Sequence, residues 1–240
     1  MKSEYLETAL LAIEKASQEL NKYYNSFVKI PENIDIEIEK IIREEILSKF
    51  PEHSFDGEEL GLRKGNEFLW YCDPISSTNN FRRKLPHFAV CLSLFSKNNP
   101  VLGVVSDPST NEVFYAEIGK GAYINGNKIK PSNKKNLIKS SFISSPKINK
   151  ELFEELLKKG SSTRILGSWS IHFVYVASGK IDLCFSNLKD IYGTSAGLII
   201  AKEAGCFIKT DNKAWNLKSK KVLVSSTKNI FNSIETKIFE

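Results

Sequence analysis

The stretch Trp70–Phe81, "WYCDPISSTNNF", ends an apolar run with an aspartate, a proline and an isoleucine, then places five small polar residues in succession. The run before it, "NEFLWYCD" (66–73), has the aromatic and apolar content of a β-strand. A carboxylate at a strand end, followed by Pro74 and a row of hydroxyls and amides, puts hard oxygen donors beside free backbone N–H groups. Divalent cations seek such oxygens, and phosphate oxygens seek such N–H groups. A turn that holds both is expected to carry two carboxylates; this one carries only Asp73.

The flanking sequence gives the frame. Residues 3 to 27 step apolar side chains by three and four, from Tyr5 and Ala9 to Tyr23 and Phe27, which predicts a helix. A second helix is expected over 35 to 49, stopped by Pro51. The period then shortens: "NEFLWYCD", "HFAVCLSLFS", "PVLGVVSD", "NEVFYAEI" and "GAYINGNKIK" read as strands of an antiparallel meander separated by turns. Beyond the polar "PSNKKN" (131–136), short strands alternate with helices. The fold class expected is mixed α/β, a single domain over 1–240 with halves of about 1–133 and 134–240.

Composition narrows the function classes. Of 240 residues, 41% are hydrophobic and 26% charged, the values of a water-soluble globular chain, and no apolar run approaches membrane-spanning length. The N-terminal segment carries Glu4, Glu7, Glu14 and Glu19 and has no signal-peptide core, which predicts a cytoplasmic protein. Cys72, Cys91, Cys184 and Cys206 are widely spaced, as expected of reduced, buried thiols. His53, His87 and His172 have no metal-ligand spacing. The formal charge of +6 comes from lysines spread among acidic residues, with small clusters such as Arg82–Lys84. Without interleaved aromatics, this predicts a solvated surface rather than a nucleic-acid face.

Acidic positions that precede or occupy turns are the candidates for chemistry: Asp35 at the start of the second helix, Glu58 and Glu59 in the loop "FPEHSFDGEELG", and Asp73. Each taken alone reads as a helix cap or a solvated loop residue. Together with Thr78 they form a plausible Mg²⁺ and phosphate constellation, in which the backbone N–H groups of Ser77 and Thr78 would face phosphate oxygens.

With "PEHSFDGEE", "DPISSTNNF", "LPHFAVCLSL", "RILGS", "YVASGKID" and "GTSAGLIIAKEAG" in this order, the chain resembles the inositol monophosphatase family along nearly its whole length. That family comprises lithium-sensitive, Mg²⁺-dependent phosphatases and related fructose-bisphosphatases. The resemblance implies a layered α-β-α-β-α sandwich and a homodimer acting on a small phosphorylated molecule. It casts Glu58, Asp73 and the Ile75 carbonyl as ligands of a first Mg²⁺, and Asp35 with Thr78 as the pair orienting the attacking water. Gly167, Ser168, Trp169 and Ser186 fall on the substrate side.

The resemblance is incomplete at the second cation. Ser76 and Gly193 stand where two further carboxylates are expected, and Ser77 stands in place of a glycine. Asp190 is the nearest substitute ligand in the sequence. Trp169 replaces a small residue, and Ser186 falls where an acidic contact to inositol is expected, so inositol is disfavoured as substrate. Two readings stay open: a weak phosphatase working with one resident ion, and a silent relative that binds a phosphorylated ligand or a macromolecular partner.

Overall fold

The computed structural model describes residues 2–144, 150–188, 191–211 and 219–239. Helix α1 (Glu4–Tyr24) begins at Ser3, whose hydroxyl accepts the Leu6 N–H, and buries Leu6, Ala9, Ala12, Ile13, Ala16 and Leu20. It ends earlier than its periodicity suggests. Ser26 turns its hydroxyl onto the Lys22 carbonyl, and Phe27, expected on the buried stripe, is fully exposed. Helix α2 (Ile34–Lys49) buries Ile34, Ile38, Ile42 and Ile46, one residue per turn. Each such isoleucine contributes about 1.5–3 kcal/mol by leaving water.

The first sheet comprises β1 (Ser54–Gly57), β2 (Gly61–Arg63), β3 (Phe68–Ser76), β4 (Ala89–Ser96), β5 (Asn99–Asp107), β6 (Glu112–Glu117), β7 (Gly121–Ile124) and β8 (Asn127–Lys128). Their spatial order is β2-β1-β3-β4-β5-β6-β7-β8. The segment expected to be a loop around Glu58 is a hairpin, β1 turning into β2, and β1 runs parallel to β3. The remaining pairings form the antiparallel meander. Strand β3 does not stop at Asp73 but continues to Ser76, with its register broken between those residues. Pro74 lies inside the break, where its missing N–H costs no ladder bond.

Helix α3 (Thr78–Arg82) follows directly. The second half supplies β9 (Ser141–Ser144), α4 (Lys150–Lys158), β10 (Ser162–Arg164), α5 (Trp169–Ala177), β11 (Leu183–Asn187), α6 (Ser195–Ala204), β12 (Phe207–Thr210), β13 (Lys221–Ser225) and α7 (Lys228–Phe239). Its sheet has the order β10-β9-β11-β13-β12. The β12–β13 pair has no counterpart in the sequence reading.

Three cores define the layers. The first joins α1 and α2 to one face of the first sheet through Ile38, Trp70, Leu92 and Val104. The second lies between the sheets and holds α5 and α6 against Cys91, Val105 and Val224. The third covers the outer face of the second sheet with α4 and α7. The result is the expected five-layer sandwich. No helix among the described residues is long and apolar enough to cross a membrane.

Helix α6 seats deeply on the first sheet because its contact residues are small. The Ser195 and Ser93 hydroxyls meet at 2.7 Å, and a Cβ on Gly103 would stand 2.7 Å from the Ala196 carbonyl oxygen. We therefore expect Gly103→Ala to wedge α6 off β5 and lower stability by about 1–3 kcal/mol, measured as a shifted urea midpoint with unchanged slope.

Candidate active site

The site forms where strand ends and helix starts of the first half meet one turn of the second. Glu58 follows β1, and its N–H donates to the Cys72 carbonyl at 3.1 Å, so it lies beside Asp73 at the matching ends of two parallel strands. Asp73 is 5% exposed, whereas Glu58 stands in the open turn. After the register break the Ile75 carbonyl accepts from Thr78 Oγ1 at 2.9 Å. The same hydroxyl lies 2.9 Å from Asp35 Oδ1. One side chain thereby ties α2, β3 and α3 together.

Asp35 is held from its other oxygen as well. Arg82 donates to Asp35 Oδ2 at 3.2 Å and reaches the carbonyls of Pro31 and Glu32. Lys84 donates to the carbonyls of Tyr23, Tyr24 and Ser26. The cationic cluster expected on a solvated surface is in part a set of staples, fastening the chain between α1 and α2 to the phosphate turn.

Ser77 occupies a left-handed conformation (φ 72°, ψ 53°) immediately before α3. In a helix this short the N–H groups of Thr78 and Asn79 have no intrahelical acceptor. Asn80 joins this turn to the second half, donating to the carbonyls of Pro86, His87 and Leu166. Gly167 (φ +108°) packs so close that a Cβ there would fall 2.4 Å from Ser77 Oγ.

Ser168 caps α5 by accepting the Ile171 N–H, and its hydroxyl donates to Ser76 Oγ at 2.9 Å. Ser170 donates to the Gly193 carbonyl at 2.9 Å. Neutral hydroxyls thus close on one another around the two positions that lack carboxylates. Trp169 is half-buried against the core between the sheets and meets His172 edge-on at 4.7 Å. Ser186 lies buried on β11 with its hydroxyl on the Asn187 carbonyl, and no hydrogen bond among the described residues joins it to the turn. Asp190 lies outside the described residues.

Two residues of this architecture escaped the sequence reading. Glu39 is fully buried, and its carboxylate accepts the N–H groups of Glu59 (2.7 Å) and Leu60 (3.2 Å) while pairing with Arg43. A Cβ on Gly57 would collide with that carboxylate at 2.0 Å, so glycine is needed there. The signal was its place one helical turn after Asp35, next to the buried Ile38. The second is His172, whose Nε2 accepts the Leu166 N–H at 3.0 Å and so sets the turn leading to Gly167.

The donor set can be weighed against Mg²⁺. Glu58, Asp73 and the Ile75 carbonyl offer only oxygen, as that ion prefers. Burial, then the charges of Asp35 and Glu39, raises the pKa of Glu59 above its ordinary value. Among the described residues no three His, Cys, Asp or Glu side chains converge on one point. The donor chemistry fits Mg²⁺, with water and phosphate oxygens left to complete its shell.

Five layers, with clustered carboxylate and carbonyl oxygens beside a hydroxyl-bearing turn, are the architecture of a class of phosphatases. The chain belongs to the inositol monophosphatase family, whose sequence model matches residues 3–238. It is 36% identical over 181 residues to a fructose-1,6-bisphosphatase/inositol-1-monophosphatase of Thermotoga maritima, covering 75% of this chain and 70% of that protein. It is 33% identical over 201 residues to the Nus factor SuhB of Vibrio cholerae, covering 80% and 74%. The solved structure of a Thermotoga maritima IMPase superposes with a TM-score of 0.88 at 29% identity, covering 99% of this chain and 97% of that one. Relatives therefore include phosphatases and proteins named Nus factors, and the comparisons give no support to setting nucleic acid aside as a partner.

Two outcomes follow from this geometry. Ser77 holds a backbone conformation that costs a side chain about 1 kcal/mol, so Ser77→Gly should raise the urea midpoint by that order while keeping the turn. Burial, with a smaller effect from His87, pushes the His172 pKa from 6.5 down to about 3. Below pH 6.5 the unfolded chain protonates this imidazole while the folded chain does not, so stability falls as pH drops from 6.5 toward 3. At pH 5 the loss is about 2 kcal/mol, absent in His172→Asn when the two proteins are compared by urea unfolding at pH 5 and 7.5.

Proposed function

We propose that the chain hydrolyses a small phosphomonoester, such as a sugar, inositol or nucleotide phosphate, by in-line attack of water with Mg²⁺ as cofactor. The observation that carries the reading is the Thr78 hydroxyl, equidistant from Asp35 Oδ1 and the Ile75 carbonyl at 2.9 Å. A hydroxyl has one proton and two lone pairs. Thr78 gives its proton to one of those oxygens and keeps lone pairs for a water, which Asp35 orients from the other side. The N–H groups at Ser77 and Thr78 hold phosphate oxygens, and Asn80 with Gly167 keeps the turn pressed against the second half. Both halves of the chain contribute to one site, which supports reading 1–240 as a single unit.

Glu58, Asp73 and the Ile75 carbonyl would hold the ion. Bound there, Mg²⁺ would polarise the phosphate and lower the pKa of its water. A second ion lacks support in the charges. Two unit charges about 4 Å apart interact by about 4 kcal/mol at an effective dielectric near 20, and divalent ions multiply this fourfold. With Ser76 and Gly193 contributing no charge, occupancy of a second position waits for the substrate's own phosphate. Turnover is therefore weak and requires high Mg²⁺.

The hydrogen bond from Ser168 to Ser76 favours a second reading, in which the site binds a phosphorylated ligand without cleaving it. Phosphate release from inositol, sugar, bisphosphate and nucleotide substrates, measured against Mg²⁺ with Asp73→Asn as control, separates the two. Release lost in the control is the expected result. Release at the control's level throughout, with ligand binding retained and turnover recovered in Ser76→Asp/Gly193→Asp, would establish the silent binder instead.

A further inference from the structure

Away from this site, residues 130–133 cross between the end of α5 and the start of α7 and line a crevice of about 690 Å³. Helix α7 is long enough to present a helix terminus with a positive dipole. Thr227, just before it, accepts the Ile230 N–H and donates to the Lys134 carbonyl at 2.7 Å. The Phe231 N–H reaches the Thr227 carbonyl. This leaves the N–H groups of Lys228 and Asn229 without an intrahelical acceptor.

The adjoining side chain points the same way. Ser226 lines the crevice, is only 4% exposed, and its hydroxyl has no hydrogen-bond partner among the described residues. A buried hydroxyl left unpaired costs about 1–3 kcal/mol, a cost that a ligand oxygen in the crevice would relieve once the Ser226 side chain rotates toward it. Lys130 and Lys228 also line the crevice, and among the described residues neither pairs with a carboxylate. Some lysines of this half do pair, as Lys180 with Glu112, Lys209 with Glu235 and Lys237 with Glu155, while others such as Lys202 and Lys221 form no ion pair among the described residues.

One carboxylate, Asp182, lies behind the crevice-lining Ser132 and keeps its charge, which Lys130 and Lys228 outnumber. Asp182 accepts the Ser132 hydroxyl at 2.6 Å and the Ser141 N–H at 2.7 Å. The last carbonyls of α5 are capped by the N–H groups of Ser178 and Gly179. Phe207, 38% exposed, adds an aromatic surface at the edge. The volume exceeds what a phosphate alone requires and suits a small organic ligand.

We propose that this crevice is a second anion site, taking the phosphate of a nucleotide at the start of α7 with its base against Phe207. The nucleotide is either free or part of a single-stranded polynucleotide. The site shares no residue with the phosphatase constellation and stands or falls independently of it.

The test is titration of the ¹⁵N-labelled full chain with inorganic phosphate, adenosine monophosphate and a short single-stranded RNA, against chloride at matched ionic strength. The Lys228 and Asn229 amides should shift saturably. Base stacking contributes about 1–3 kcal/mol, so the mononucleotide should bind about five- to a hundredfold tighter than phosphate, an advantage lost in Phe207→Ala. Ser226→Ala and Lys228→Gln should each weaken binding severalfold, while Asp73→Asn leaves it unchanged. RNA binding tighter than the mononucleotide assigns the site to a polymer; equal affinity assigns it to the free nucleotide. Shifts that do not saturate, that chloride reproduces, or that ignore both the Ser226 and Lys228 variants would overturn the proposal.

Discussion

The hydroxyl of Thr78 is the point on which the site's geometry depends. It touches the start of α2 through Asp35 and the end of β3 through Ile75, and it opens α3 itself. Remove it and three elements lose their common reference. The register break between Asp73 and Ser76 is what allows this, because a regular strand would carry the Ile75 carbonyl into the ladder with β4. Left-handed Ser77 then reverses the chain in one residue. The local irregularities of the turn thus bring the Ile75 carbonyl, the Thr78 hydroxyl and the Asp35 carboxylate together.

Glu39 does for the hairpin what Thr78 does for the turn. A fully buried carboxylate is costly unless its lone pairs are met, and here two backbone N–H groups and Arg43 meet them. The exchange fixes the backbone of Glu59 and Leu60, and hence where Glu58 stands relative to Asp73. Gly57 is the steric condition for it. The crowding of Asp35, Glu39 and Glu59 gives that corner a negative field, which a single cation would relieve. The Ser76–Ser168 and Ser170–Gly193 contacts build a neutral opposite wall, so the two sides of the site differ in charge.

Much of the fold was legible because burial imposes periodicity. The isoleucines of α2 and the alternation along β4 to β6 could be read directly, and the motif order gave the layers. What escaped had a tertiary cause. The end of α1 was set by the Ser26 hydroxyl competing for a helix carbonyl, which periodicity does not register. The β1–β2 hairpin reads as a loop because its strands are short and the turn between them is held by a buried glutamate. Arg82 and Lys84 look like solvated charges in the sequence, yet carbonyls from a segment some fifty to sixty residues earlier take up their protons. Trp169 could be placed next to the site by its motif, but only packing shows its ring edge-on to His172.

The staples from Arg82 and Lys84 also bear on how the site holds together without a full set of metal ligands. With four carboxylates around two ions, metal coordination itself would bind the turn to its surroundings. On the function proposed above, two carboxylates and a carbonyl would be left for that task, while Asp35 is steadied by a guanidinium on one oxygen and a hydroxyl near the other. The end of α1 and the chain between α1 and α2 accept five hydrogen bonds from Arg82 and Lys84, none of which requires an ion in the site. Preorganisation has thus moved from coordination bonds to side-chain contacts. Such a site keeps its shape when empty, and binding then has less conformational entropy to overcome.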